Sequence, residues 1–178
     1  TETMRIVAAK ENLPAETIRA GVAEGTIAIC ANPNHKSLSP SGVGKGLSTK
    51  VNANIGTSSS YPDPEPELLK LAAAIEAGAD AVMDLSTGDN IEASRKAIIE
   101  ASTVMVGTVP IYQATVEAIK KHGAVVDMTK EDLFAVIEQQ AKDGADFMTI
   151  HCGINRNVLK ALLAEGRVMD VVSRGGSF

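Results

Sequence analysis

From residue 65 onward the chain alternates helix-like with strand-like segments, and this alternation limits its fold more than any other feature. Residues 65–77 carry Leu68, Leu71, Ala72 and Ile75 on one helical stripe, Gly78 stops the pattern, and 81–85 is a short apolar run. A helix over 90–101, capped by Asp89 or Asn90, leads to a strand over 104–109. A helix over 114–122 ends at Gly123. Thr129 caps a helix over 130–142, with Met128 and Leu133 spaced as a hydrophobic staple, and a strand over 147–151 follows. A helix over 158–165 then precedes a strand over 169–173, and residues 51–55 make a further strand ahead of the series. Ala77-Gly78-Ala79-Asp80 before one strand is echoed by Asp143-Gly144-Ala145-Asp146 before another, which predicts one turn used twice. Strands joined through helices imply parallel βα units.

The strands also end alike, in polar or distinctive residues: Asn54, Met83-Asp84, Tyr112 just past its strand, His151, and Ser173-Arg174. Thr149 and His151 alternate onto one face of the 147–151 strand, at the carboxyl end where parallel α/β folds bind ligands. Met83 follows Asn54 by the same 29 positions by which Tyr112 follows Met83. A repeat of that length fits a (βα)8 barrel of about 250 residues. The predicted fold is therefore α/β, a partial TIM-type barrel of about five βα strands over 51–178. It is preceded by a small region, 1–50, of two short helices (3–11 and 14–24), a strand over 26–30 and a Gly/Pro-rich loop. An open doubly wound sheet is the structural alternative, but no Gly-x-Gly-x-x-Gly follows a first strand. The stop at Phe178, two residues after Gly-Gly, reads as a barrel whose remainder is absent.

Composition removes some functions. A net charge of −5, 3% aromatic residues and no Trp make a poor nucleic-acid surface. No apolar run approaches the roughly 18 residues of a membrane helix, and two cysteines far apart fit a reducing, cytoplasmic setting.

Several short motifs carry chemistry. GVGKGLSTK fails as a phosphate loop, because Gly46 follows Lys45 where Ser or Thr is required. Asn52 and Asn54 present two amides on one strand face, suited to a small polar ring. Asp84 is a candidate acid or base at the barrel mouth, and Met83 by itself reads as core. His151 is a site candidate, while Cys152, its neighbour on the opposite face, reads as core. The three histidines and two cysteines show no metal-ligand spacing. Ser173-Arg174-Gly175-Gly176-Ser177 offers a fixed cation, close backbone approach and hydroxyls to an anionic group such as phosphate. No lysine stands at a strand tip, which disfavours a Schiff-base aldolase.

KVNANIGTS, MDLSTG, VGTVPIYQA, DFMTIHCG and VSRGGS occur in this order, and with them the chain resembles the N-terminal portion of the phosphomethylpyrimidine synthase (thiamine biosynthesis ThiC) family. The resemblance implies a radical S-adenosylmethionine lyase. It would convert 5-aminoimidazole ribotide to 4-amino-5-hydroxymethyl-2-methylpyrimidine phosphate, as a cytoplasmic homodimer. It also implies substrate contacts at Asn54, Met83, Tyr112, His151, Ser173, Arg174 and Gly175, which moves Met83 from core to site. A [4Fe–4S] cluster, S-adenosylmethionine and zinc are implied for the full-length protein, with the metal ligands beyond Phe178 and no metal held by this chain. The segment alone is then expected to be inactive. Two alternatives stand beside this reading: a 5-hydroxybenzimidazole synthase using the same ribotide, and a non-catalytic ribotide-binding remnant.

Overall fold

The computed structural model describes residues 1–177. Two helices open the chain, α1 (Glu2–Glu11) and α2 (Ala15–Ala23), followed by an antiparallel hairpin of β1 (Ile27–Cys30) and β2 (Ser41–Gly44). β2 lies inside the predicted glycine-rich loop. Ser41 and Gly42 are buried against the helices there, so the failed phosphate motif serves as the second arm of a hairpin. Val7, Ala8, Ile18 and Ile27 form the core of this part.

The remainder runs β3 (Asn52–Ile55), α3 (Glu65–Glu76), β4 (Ala81–Asp84), α4 (Ile91–Ala101), β5 (Met105–Thr108), α5 (Pro110–His122), α6 (Lys130–Asp143), β6 (Phe147–Met148) and α7 (Arg156–Glu165). The strands pair in parallel and in chain order, β3-β4-β5-β6. A doubly wound sheet reverses its strand order at a switch point; this sheet has no reversal among the described residues. Ile55, Val82 and Val106 face the helix layer and pack with Leu71, Ile98 and Ile99. Residues between them in sequence face the other way and leave an open sheet face.

Several boundaries differ from the sequence expectation, each for a local reason. Proline at its first turn starts α5 four residues early, which places Tyr112 in the helix. Asn90 precedes α4 but makes no side-chain cap bond, whereas Thr129 caps α6 with a full capping box. The strand expected over 147–151 pairs with β5 only through Phe147 and Met148. One more ladder bond follows, from Thr149 N to the Thr108 carbonyl at 2.9 Å. No strand forms over 169–173, where Met169 and Val172 are exposed; the segment makes no ladder with β6, which at two residues offers only a short edge. Cys152, expected in the core, is exposed beyond the end of β6.

The repeated phrase does make one turn twice. Gly78 and Gly144 take positive φ after their helices, and the following aspartate clamps the neighbouring strand. Asp80 Oδ2 accepts from Val51 N at 2.8 Å, and Asp146 Oδ2 accepts from Val106 N at 2.8 Å. Asp146 also binds the N-terminal region, accepting from Asn32 N and lying 2.7 Å from His35 Nδ1. His35 Nε2 lies 2.9 Å from the Ser102 carbonyl, so both ring nitrogens face acceptors and the ring is held as the imidazolium.

Burial opposes that charge, but the hydrogen bonds to Asp146 and to the Ser102 carbonyl, with the Asp146 charge, raise the His35 pKa above the usual 6.5. The folded chain then keeps a proton that the unfolded chain releases. The contribution is complete below pH 6.5 and disappears as pH rises through the folded value. Denaturation midpoints are expected to fall as pH rises above 6.5, and His35→Gln is expected to flatten that slope and to cost about 3 kcal/mol at low pH. A wild-type midpoint flat over this range would refute the pairing.

Candidate active site

The open face of the sheet carries the first group of site residues. Strand register aligns Asn54 with Met83, Met83 with Gly107, and Gly107 with Phe147, so these four form one row across the sheet. Asn52 Nδ2 donates to Asn54 Oδ1 at 2.9 Å, which leaves the Asn54 amide hydrogens for another partner. The Met83 sulfur accepts a weak bond from Thr149 Oγ1 at 3.9 Å. The second group lies past the strand ends. The Arg174 guanidinium sits 4.8 Å from the centroid of the Tyr112 ring, a contact worth about 0.5–1 kcal/mol at an exposed site. A compact turn presents it, with Ser177 N and Oγ both donating to the Ser173 carbonyl at 3.0 and 2.8 Å.

Gly175 is buried against His151, and a Cβ at this position would overlap the imidazole ring. The turn therefore holds His151 by backbone contact, and the His151 Nδ1 is buried without a hydrogen-bond partner among the described residues. Two cavities result. One of about 260 Å³ brings Asn54 and Arg174 together with Thr57, Thr87 and Lys70. The other, about 740 Å³, is lined by His151 and Gly175 with Asn155, Asp170 and leucines of α7. Six of the seven expected residues thus have observed contacts at the carboxyl edge of the sheet, and Ser173 forms the turn that carries Arg174. Sequence reasoning does not single out Lys70. Its i,i+3 spacing from the buried Glu67, whose Oε1 it approaches to 2.7 Å, is the available signal.

Asp84 is a correction. It shares a face with Val82 and points into the helix layer, away from the open face, with 5% exposure. Its Oδ1 accepts from Ser86 N at 2.9 Å and Ser86 Oγ at 2.5 Å, and Ser86 Oγ accepts from Thr57 N at 3.0 Å. Burial raises its pKa, against the Ser86 bonds and the Arg95 charge. Asp84 thereby supports the loops that follow β3 and β4.

Residues 1–178 match the model of the Radical SAM ThiC family along their whole length. The chain belongs to this family. It is 60% identical over its full length to the phosphomethylpyrimidine synthase of Thermoanaerobacter sp. (strain X514), and 57% identical to that of Moorella thermoacetica. It is also 54% identical to the 5-hydroxybenzimidazole synthase BzaB of Moorella thermoacetica. The chain spans 41% of the length of each of the first two relatives and 42% of the third.

Membership of a radical SAM family implies S-adenosylmethionine and an iron–sulfur cluster. The described residues do not fit a cluster: no group of three or more His, Cys, Asp or Glu side chains could hold a metal, and Cys30 and Cys152 are the two cysteines of the chain. Among the described residues, no helix is long and apolar enough to cross a membrane.

The clasp on His151 is directly testable. Gly175→Ala should shift the His151 ring-proton resonances and, by displacing Arg174, those of Tyr112. Gly153→Ala, where a Cβ meets open space, should move neither. Unchanged spectra for Gly175→Ala would exclude the contact.

Proposed function

We propose that this chain is the ribotide-binding part of a phosphomethylpyrimidine synthase, acting on 5-aminoimidazole ribotide to form 4-amino-5-hydroxymethyl-2-methylpyrimidine phosphate. The observation that carries the reading is the whole-chain family match together with the gathering of Asn54, Met83, Tyr112, His151, Arg174 and Gly175 at one edge of the sheet. In this reading Arg174 takes the phosphate, with Lys70 beside it, since both line the cavity that contains Asn54. The Asn54 amide bonds a ring heteroatom, the Met83 thioether lies against the ring, and His151 contacts the substrate from the cavity it lines. Tyr112 fixes the Arg174 guanidinium, and the Ser173-Gly175 turn excludes water from the His151 ring.

When bound, S-adenosylmethionine and the reduced [4Fe–4S] cluster would supply the radical that begins the rearrangement. Their ligands, with those of zinc, belong to the remainder of the longer protein. The same remainder would close the parallel sheet into a (βα)8 barrel over 51–178 and beyond, with 1–50 as an appended unit, in a cytoplasmic homodimer. The in-order parallel sheet supports this architecture. A second reading, 5-hydroxybenzimidazole synthesis from the same ribotide, is favoured by the 54% identity to BzaB.

Anaerobic turnover by the full-length protein with cluster, S-adenosylmethionine and aminoimidazole ribotide separates the two, with mass spectrometry reading the product. Hydroxymethylpyrimidine phosphate is expected, and 5-hydroxybenzimidazole would establish the second reading instead. Residues 1–178 alone are expected to yield neither product. Arg174→Ala in the full-length protein should weaken ribotide binding by about 2 kcal/mol, the scale of a hydrogen bond to a charged group. Unchanged affinity would remove Arg174 from the phosphate role.

A further inference from the structure

The row Asn54-Met83-Gly107-Phe147 contains one position without a side chain, and the gap is filled from the next strand. A Cβ at Gly107 would overlap the Cδ2, Cε2 and Cζ carbons of Phe147, so the phenyl ring lies across the backbone of β5. It reaches this position because paired residues of a parallel sheet point to one side, and Gly107 and Phe147 are partners. Thr149, two residues later on the same chain, crosses in the same direction and reaches the Met83 sulfur on β4. The glycine thus allows side chains of the β6 segment to cover the middle of the open face.

The bland reading of Phe147 is that of a core residue, and two observations oppose it. Phe147 belongs to neither apolar cluster, both of which lie elsewhere: one between sheet and helices, the other in the N-terminal region. It is only half-buried, on the face that also leaves Asn54 exposed. It is also the one aromatic residue in the four parallel strands. An amide, a thioether and a phenyl ring in one row make a surface for a planar heterocycle. The amide bonds a ring heteroatom, and the soft, flat groups meet the ring faces.

We propose that Phe147, seated on Gly107, is a specificity-determining residue that contacts the heterocyclic base of the sugar-phosphate substrate. This rests on the ribotide reading above, which places the phosphate at Arg174 and the ring near Asn54. The base and the phosphate are then read by separate parts of the chain. The base is read by the sheet row and the phosphate by the turn after α7. Loss of the phenyl ring should therefore weaken recognition of the base and leave recognition of the sugar phosphate intact. Gly107→Ala should have the same effect with the ring still present, because the new methyl group displaces it.

The test is titration calorimetry on the full-length holoenzyme without S-adenosylmethionine, using aminoimidazole ribotide and ribose 5-phosphate as separate probes. Phe147→Leu and Gly107→Ala are each expected to weaken the ribotide about ten-fold, with ribose 5-phosphate changed by less than about two-fold. Phe147→Tyr should retain wild-type affinity for both. A parallel loss for both probes would make the ring a structural support and overturn the proposal, as would unchanged ribotide affinity in the Leu and Ala variants. Wild-type protein that binds neither probe would overturn the ribotide reading itself, an outcome visible before any variant is compared.

Discussion

The carboxylate of Asp146 is the point on which the arrangement depends. It is fully buried and receives the Asn32 amide, the His35 ring and the amide of Val106. Three separate segments, the loop after β1, the first half of β5 and the start of β6, are joined by one side chain. A buried carboxylate is costly unless its lone pairs are filled, and here an imidazolium and two backbone N–H groups fill them. Removing any one donor leaves a buried carboxylate short of a partner. The position of the first residue of β6 is set by this demand, and with it the register of Phe147 against Gly107 and the reach of Thr149 to Met83.

Asp80 does the same for β3 and β4 through Val51 N, with the Lys10 charge nearby. A second buried charge, Arg95, holds the helix layer. Its guanidinium bonds Asp143 at the end of α6 and Gln113 on α5, and Gln113 in turn accepts from Gln140. Both networks lie on the far side of the sheet or at its amino end. The open face and the carboxyl edge carry few such ties: Asn54 and Arg174 are exposed, and the His151 Nδ1 has no partner among the described residues. Charged networks where the scaffold is built, and exposed polar groups at the carboxyl edge, fit a site on a rigid frame.

Much of this was legible in the chain. Helical stripes and stop residues located the seven α-helices to within a few residues but not the short 3-10 helix Val125–Asp127, and the repeated Gly-Ala-Asp phrase announced a turn used twice. Strand lengths were harder to read. An apolar run such as 169–173 has the composition of a strand whether or not a partner exists, and pairing is a non-local fact. β2 was hidden for the opposite reason: Ser-Gly-Val-Gly, with two glycines, is weak as a strand, and its place comes from packing of Gly42 against Val7 and Leu47. The face of Asp84 could have been found. Counting alternation from Val82 assigns it to the helix side, and this parity outweighs its position at a strand tip.

The same distinction between parity and position explains the site. Asn54 and Met83 reach the open face because of their register in the sheet, so their placement follows from a strand pattern alone. Tyr112, His151 and Arg174 are on no strand at all. Tyr112 stands in the first turn of a helix, His151 lies beyond the last paired residue of β6, and Arg174 sits in a turn after α7. Their mutual contacts depend on the backbone of Gly175 reaching the His151 ring and on the Tyr112 ring beneath Arg174. A strand over 169–173 would have fixed Arg174 by ladder bonds. In the observed turn its orientation is set by Tyr112 and by the bonds closing on the Ser173 carbonyl.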